Sequence, residues 1–381
     1  MSFNTALTGL NAASTNLSVT ANNIANANTT GFKQSRTEFS DFFPTDAYGL
    51  SQNAAGAGVR IGRIAQQFSQ GSINVTNNSL DLAISGSGYF TLSKDGVRSY
   101  TRAGAFGADA NGYIVNASGA RLQVNPPVGS GNAFDAATLS DVRLSTSDNP
   151  PKPSSQIEAN VNLPATASAP LTTPFLASDP TSFNKATSVT LYDSLGSAHP
   201  ANLFFVKGAV ANTWDLYTQV DGIALGTPTP LTFGSDGTLT VPATGTAALA
   251  AYTPSNGSAP LNLSLSLGNS TQYGDNYAVN SLNQDGYASG RLVGIEVTSD
   301  GIVQARFTNG QATALGQVAM ANFANPQGLQ QLGDTSWGES AASGAALRGV
   351  AGSGGFGGIQ SGALEASNVD ITAQLVNMIT A

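Results

Sequence analysis

Two heptad stripes that are almost free of charge, one at each end of the chain, restrict this sequence more than any other feature. Phe3, Leu7, Leu10, Ser14, Leu17, Ala21, Ile24 and Asn28 follow one another at steps of four and three residues. That spacing puts all eight on one seam of a helix with a 3.5-residue period. Ser2 is a candidate N-cap. Asn26 to Gly31 reads as the helix end, with Gly31 free to turn left-handed. About 25 helical residues would span ~37 Å. The remaining face is Asn, Ser and Thr, and no charge occurs from Met1 to Phe32. A solvated coiled coil would carry charges beside its seam. Taken alone, the stripe fits two situations equally: a helix lying on its own body, or a helix buried among other copies. The C-terminal end shifts that balance. Leu364, Asn368, Ile371, Leu375 and Met378 repeat the same steps, and Ser367-Asn368-Val369-Asp370 resembles a capping-box start. A helix of about 14 residues is marginal alone, so this one needs a partner.

Between the ends the period changes to two. Leu80, Leu82 and Ile84 alternate with Asp81 and Ala83. So do Trp214, Leu216, Thr218 and Val220 with Asp215, Tyr217 and Gln219, and Leu261, Leu263, Leu265 and Leu267 with Asn262, Ser264 and Ser266. These are half-buried strands. Asp95-Gly96, Asn111-Gly112, Ser118-Gly119, Asp236-Gly237, Asp300-Gly301 and Asn309-Gly310 supply turns. The expected fold is therefore mainly β with terminal α-helices: discontinuous β domains threaded between coiled-coil-like helices. The Pro-rich crossing at 148–153 and the loop-rich stretch at 274–286 bracket an outer β domain, 148–283. Segments 71–147 and 284–345 form the halves of an inner β domain. The N-terminal helix, 1–28, is expected to pair with 364–381. Segments 29–70 and 346–363 connect the parts, the second being Gly/Ser-rich and flexible in expectation.

Composition excludes several functions. Charged residues make up 10% of the chain and the net charge is −8. Nucleic-acid binding requires clustered Lys and Arg, and an anionic membrane surface requires the same. No apolar run is long enough to insert in a membrane. The opening residues lack a basic start and a continuous apolar core, so no Sec signal peptide is expected. There is no cysteine and one histidine, His199. No catalytic, cofactor-binding or metal site is expected: His199 reads as a turn residue beside Asp193 and Ser194. Gly352 to Gly357 fits G-x-G-x-x-G, but no strand precedes it and no helix follows, so it reads as a connector.

The Asn-rich run Ala21–Lys33, A-N-N-I-A-N-A-N-T-T-G-F-K, resembles the N-terminal signature of the flagellar axial family, the rod and hook proteins. Three further blocks are similar to the same family in the same order. They are Ser79–Ile84 with Gly86, Gly88, Tyr89 and Phe90; Tyr100–Phe106 with Gly112 and Gly119; and Ser361–Asp370. The large insert, and Thr190–Gly196 with His199, fit the hook branch better than the distal-rod branch. The resemblance implies terminal helices forming an inner tube wall, an inner β domain around it and an outer β domain at the surface. It implies a self-assembling, curved tube acting as a universal joint, with no enzyme activity. It also implies an extracellular location in the flagellum and type III export without a cleaved signal peptide. The expected neighbours are a distal rod protein, a hook cap protein and a hook-filament junction protein. On this view Leu7, Leu10, Leu17, Ile24, Ile371, Leu375 and Met378 are the expected inner-tube contacts. Asn22, Asn23, Asn26 and Asn28 would interlock with neighbouring chains. Family members usually carry a longer C-terminal helix, so the stop at Ala381 implies either truncation or a thinner inner tube. A distal rod protein and an unrelated β-rich adhesin remain the alternative readings.

Overall fold

The computed structural model describes residues 2–42, 56, 58–129, 133–144 and 148–380. The cap expected from the Ser2 side chain, and parts of the 29–70 and 71–147 segments, lie outside the described residues. Among the described residues there are two α-helices, α1 (Ser2–Ala25) and α2 (Ile371–Thr380), and the rest is mainly β. The chain divides into two compact units. Unit 1 holds 1–146, 293–306 and 312–381; unit 2 holds 147–292 and 307–311.

Unit 1 is built by interleaving two distant stretches of sequence. Its largest sheet runs in the order 292–297, 302–307, 312–318, 121–125, 89–94, 97–101, 336–338 and 330–333. The joins lie where Val318 faces Val124, Met320 faces Phe90 and Trp337 faces Tyr100. Leu82, Ile84, Phe90, Leu92, Leu122, Val303 and Met320 fill its core. In the strand Leu82–Ser85, Leu82, Ala83 and Ile84 are all buried rather than alternating, and only Ser85 is exposed; Gly104 lies against Leu82. A Cβ on Gly104 would fall 1.7 Å from the Leu82 carbonyl oxygen. Backbone cannot yield there as a flexible side chain would. Gly104→Ala is therefore expected to lower the stability of unit 1 by about 1–3 kcal/mol, the usual cost of overpacking, measured by urea unfolding. A cost below ~0.5 kcal/mol would mean the two segments part easily.

Unit 2 packs a six-stranded and a four-stranded sheet around one core. The alternation at 213–220 holds: Trp214, Leu216, Thr218 and Val220 are buried and the residues between them are half-buried. Leu261, Leu263, Leu265 and Leu267 all enter the same core.

Three expectations change. The Gly-rich stretch 344–362 is part of the sheets, not a free connector. Leu347–Gly349 pairs with Met320–Asn322, and Gly358–Ser361 with Leu82–Ser85. Phe356 anchors the turn between them against the core. The helix expected from Leu364 begins at Ile371 instead. Leu364 lies in the strand Ala363–Glu365, paired with Ile73–Val75. Asp370, not Ser367, caps α2, its Oδ1 accepting from the Thr372 and Ala373 N–H groups. At the other end α1 stops at Ala25, so the run Asn26 to Gly31 ends it as expected. The Asn26 amide donates to the Asn22 carbonyl at 3.0 Å, and such local side-chain bonding competes with helix propagation.

Candidate subunit-contact surface

Helix α1 uses one face on its own chain and leaves the other outside. The inward face is small and polar: Ala12, Thr20 and Asn23 are buried. The hairpin Ser35–Asp41/Val59–Gln66 supplies a site for it, the Val59 N–H donating to Thr8 Oγ1. Asn23 is fully committed there. Its Oδ1 accepts from the Ser35 N–H at 2.9 Å, and its Nδ2 donates to the Ser35 carbonyl at 2.8 Å and to Gln374 Oε1 of α2 at 3.3 Å. The two helices thus meet through amides, around a cavity of about 400 Å³ lined by Asn16, Thr20, Asn23, Gln374 and Asn377 among others.

The heptad stripe points the other way. Phe3 is 79% exposed and Leu10 67%, and Leu7, Ser14 and Ala21 are also exposed; Leu17 and Ile24 are half-buried. On α2, Ile371, Leu375 and Val376 are exposed and Ile379 is 85% exposed, while Met378 is half-buried. Of the four asparagines expected to face neighbours, Asn22 and Asn28 are exposed and Asn26 half-buried. Asn23 is spent inside the chain, because its amide completes the backbone pairing of Ser35. The sequence reading missed the hairpin, which adds exposed Phe39, Ile61 and Ile64 beside α1. The sequence hid it because Arg60-Ile61-Gly62-Arg63-Ile64 repeats every three residues rather than every two, the strand pairing skipping Gly62.

A buried ion cluster fixes where the terminal segments join the β body. Lys33 Nζ lies 2.5 Å from Glu365 Oε1 and donates to the Ser69 carbonyl at 2.7 Å. Both side chains are wholly buried. Glu365 Oε1 also accepts from the Gly71 N–H at 3.0 Å. Arg102 faces Glu365 Oε2 at 3.7 Å and donates to the Gly86 carbonyl at 2.7 Å. Burial pushes the Lys33 pKa below the ordinary lysine value, against the opposing pull of Glu365. Next to it, Asn368 Oδ1 accepts from the Gln34 N–H and its Nδ2 donates to the Gln67 and Ser69 carbonyls. Gly31 is left-handed at φ +67°, and a Cβ there would fall 2.5 Å from the Ala103 nitrogen.

No helix among the described residues is long and apolar enough to cross a membrane. His199 is not a turn residue. It lies in the strand Ala198–Lys207, buried between two carboxylates.

Outward apolar stripes on terminal helices, joined through a buried cluster to an interrupted β body, are the layout of a subunit that associates with its own copies. Known families agree with this class in four places. Residues 3–33 match the family described as flagella basal body rod protein, and 360–381 the flagellar basal body rod FlgEFG protein C-terminal family. Residues 83–169 match the flagellar hook protein FlgE/F/G D1 domain and 162–287 the flagellar basal body protein FlaE D2 domain. These matches define a flagellar axial protein. The flagellar hook proteins FlgE of Salmonella typhimurium and Escherichia coli are each 40% identical to it, over 100% of this chain and 94% of theirs. That of Rhizobium meliloti is 35% identical over 98% of this chain and 91% of its own. The chain belongs to the flagellar hook protein FlgE family. The Helicobacter pylori flagellar hook protein FlgE2 structure shares the fold, with a TM-score of 0.56 at 14% identity, covering 77% of this chain and 100% of that one.

Proposed function

We propose that this chain is the structural subunit of a bacterial flagellar hook, polymerising into a curved, flexible tube that carries torque from rod to filament. The observation that carries this reading is the outward apolar stripe of α1 and α2, which a single chain leaves in water. Leu7, Leu10, Ile371 and Leu375 are the proposed centre of the contact. Leu17, Ile24 and Met378 stand at its edge, and Asn22, Asn26 and Asn28 bond at its rim. A head-to-tail contact that does not close on itself yields an open helical filament. The low charge of the chain supports bending, since Ser, Thr and Asn surfaces exchange partners with water at small net cost.

The same reading places the polymer outside the cell, exported by the flagellar type III apparatus without a cleaved signal peptide. It gives the polymer a distal rod protein, a hook cap protein and a hook-filament junction protein as neighbours. Its role is mechanical, not enzymatic. Electron microscopy of tubes assembled from the purified chain tests it: curved tubes are expected from the whole chain, and straighter, stiffer tubes after removal of 148–283. Straight rods from the whole chain would favour the distal-rod reading instead.

A further inference from the structure

The chain's one histidine lies in unit 2, in a setting that a neutral imidazole cannot satisfy. His199 Nδ1 lies 2.6 Å from Asp221 Oδ2, and Nε2 lies 3.3 Å from Asp193 Oδ2. A neutral ring has one N–H and one lone pair, whereas the imidazolium donates from both nitrogens. With a carboxylate at each nitrogen, the neutral ring would set a lone pair against carboxylate oxygen. Neither carboxylate is placed to give up its charge. Asp193 is fully buried, and its Oδ1 accepts from the Leu195 and Ser197 N–H groups while Asn256 donates to Oδ2. Asp221 Oδ2 also accepts from the Tyr252 hydroxyl at 2.6 Å.

We propose that His199 is a pH-sensitive clamp of unit 2: as imidazolium it bridges Asp193 and Asp221, and loss of its proton releases the loops that they anchor. The groups facing the ring are Asp193 from the turn after 185–192, Asp221 from the turn after 213–220, and Tyr252, whose ring meets it edge-on at 5.7 Å. Among the described residues no other ion pair reaches it. Burial opposes the charge, but the hydrogen bonds to Asp221 and then Asp193, with their charges, outweigh it and raise the imidazole above its ordinary 6.5. Asp193 is held below the carboxylate range: burial opposes this, and bonds from Asn256, the Ser197 N–H and His199 overcome it. Asp221 is lowered likewise, by Tyr252 and His199 against burial.

The signs follow from linkage. A base raised on folding stabilises fully below its unfolded value, and that contribution is lost as pH rises through its folded value. The two lowered carboxylates stabilise above their unfolded value, and their contribution is lost as pH falls through their folded values. Unit 2 therefore has an alkaline edge set by one proton on one residue.

A single histidine makes the test direct, because the unpolymerised full-length chain has one imidazole ring to follow by NMR. The two indole N–H signals, Trp214 in unit 2 and Trp337 in unit 1, follow the two units separately on heating. The imidazole midpoint is expected above 6.5. Between pH 5 and 9 the melting of the Trp214 signal should fall across the same interval, with the Trp337 signal unchanged. Asp221→Asn should draw the midpoint back toward 6.5, and His199→Gln should remove the pH step. A midpoint at or below 6.5, or the same step in His199→Gln, overturns the clamp. Should His199→Gln fail to fold, the wild-type and Asp221→Asn midpoints decide alone.

Discussion

Leu10→Asp is expected to give a folded monomer that makes no tubes. Leu10 is 67% exposed in the single chain, so a carboxylate there stays hydrated and leaves both β units intact. In the proposed polymer contact the same position would enter an apolar surface. An unpaired charge buried in that way costs several kcal/mol. Even about 3 kcal/mol per contact raises the concentration needed for assembly by roughly a hundredfold, and every subunit repeats the penalty. Sedimentation and electron microscopy would read the loss of polymer, and the Trp214 and Trp337 signals would report both units folded. Normal tubes at wild-type concentration would remove the outward face of α1 from the inner wall.

That prediction rests on a feature the sequence displayed and one it did not. The four-three spacing of Phe3, Leu7 and Leu10 marks a helix seam whatever lies around it, because periodicity is a local property. Which surface covers the seam is a tertiary question. The inward face of α1 is Thr8, Ala12, Thr20 and Asn23, small or polar residues that no hydrophobic pattern would select. Two of them bond hairpin backbone, Asn23 with Ser35 and Thr8 with the Val59 N–H. At the C-terminus the same spacing misled. Leu364 continues the heptad arithmetic of Ile371 and Leu375 but lies in a strand, since Ala363–Glu365 pairs with Ile73–Val75. Pairing across nearly three hundred residues leaves no mark in a window of seven. The Gly-rich stretch 344–362 failed for a related reason: glycine composition signals freedom in an isolated chain, yet Phe356 and two short strands fix it in the sheet.

The candidate contact face was legible residue by residue, while the cluster that positions it was visible only as scattered letters. Lys33 is the first charge after an uncharged run, and Glu365 the last but one acidic residue of the chain. Each of the four family-like blocks contributes to one place: Lys33 from the first, the Gly86 carbonyl from the second, Arg102 from the third and Glu365 from the fourth. Within this chain the four blocks converge on one buried set of charges, where removal of one partner leaves the others uncompensated.

Glu365→Gln should therefore cost unit 1 about 3–5 kcal/mol, the usual consequence of removing one partner from a buried ion pair. Lys33 would lose its counter-charge and keep only neutral acceptors, the Ser69 carbonyl and at most an amide oxygen, and Arg102 would lose the carboxylate it faces. The alternative is that buried charge merely fills space. A double-mutant cycle separates the two. Lys33→Met removes the second charge at similar volume, and a well-packed apolar replacement for a buried pair is often neutral. If the pair acts as a pair, Lys33→Met with Glu365→Gln will cost less than the sum of the single changes, by at least ~1.5 kcal/mol, in urea unfolding followed at Trp337. Additive costs would show that Lys33 and Glu365 act independently. A loss below ~1 kcal/mol in Glu365→Gln would mean that the junction is held by backbone pairing at 363–365 and by Asn368. In either case Trp214 should report no change in unit 2, since every member of the cluster lies in unit 1. The expected effect on assembly is separate from that of Leu10→Asp. The exposed stripe survives, but its helices lose their fixed attachment to the β body, so tubes should form only under conditions that keep unit 1 folded.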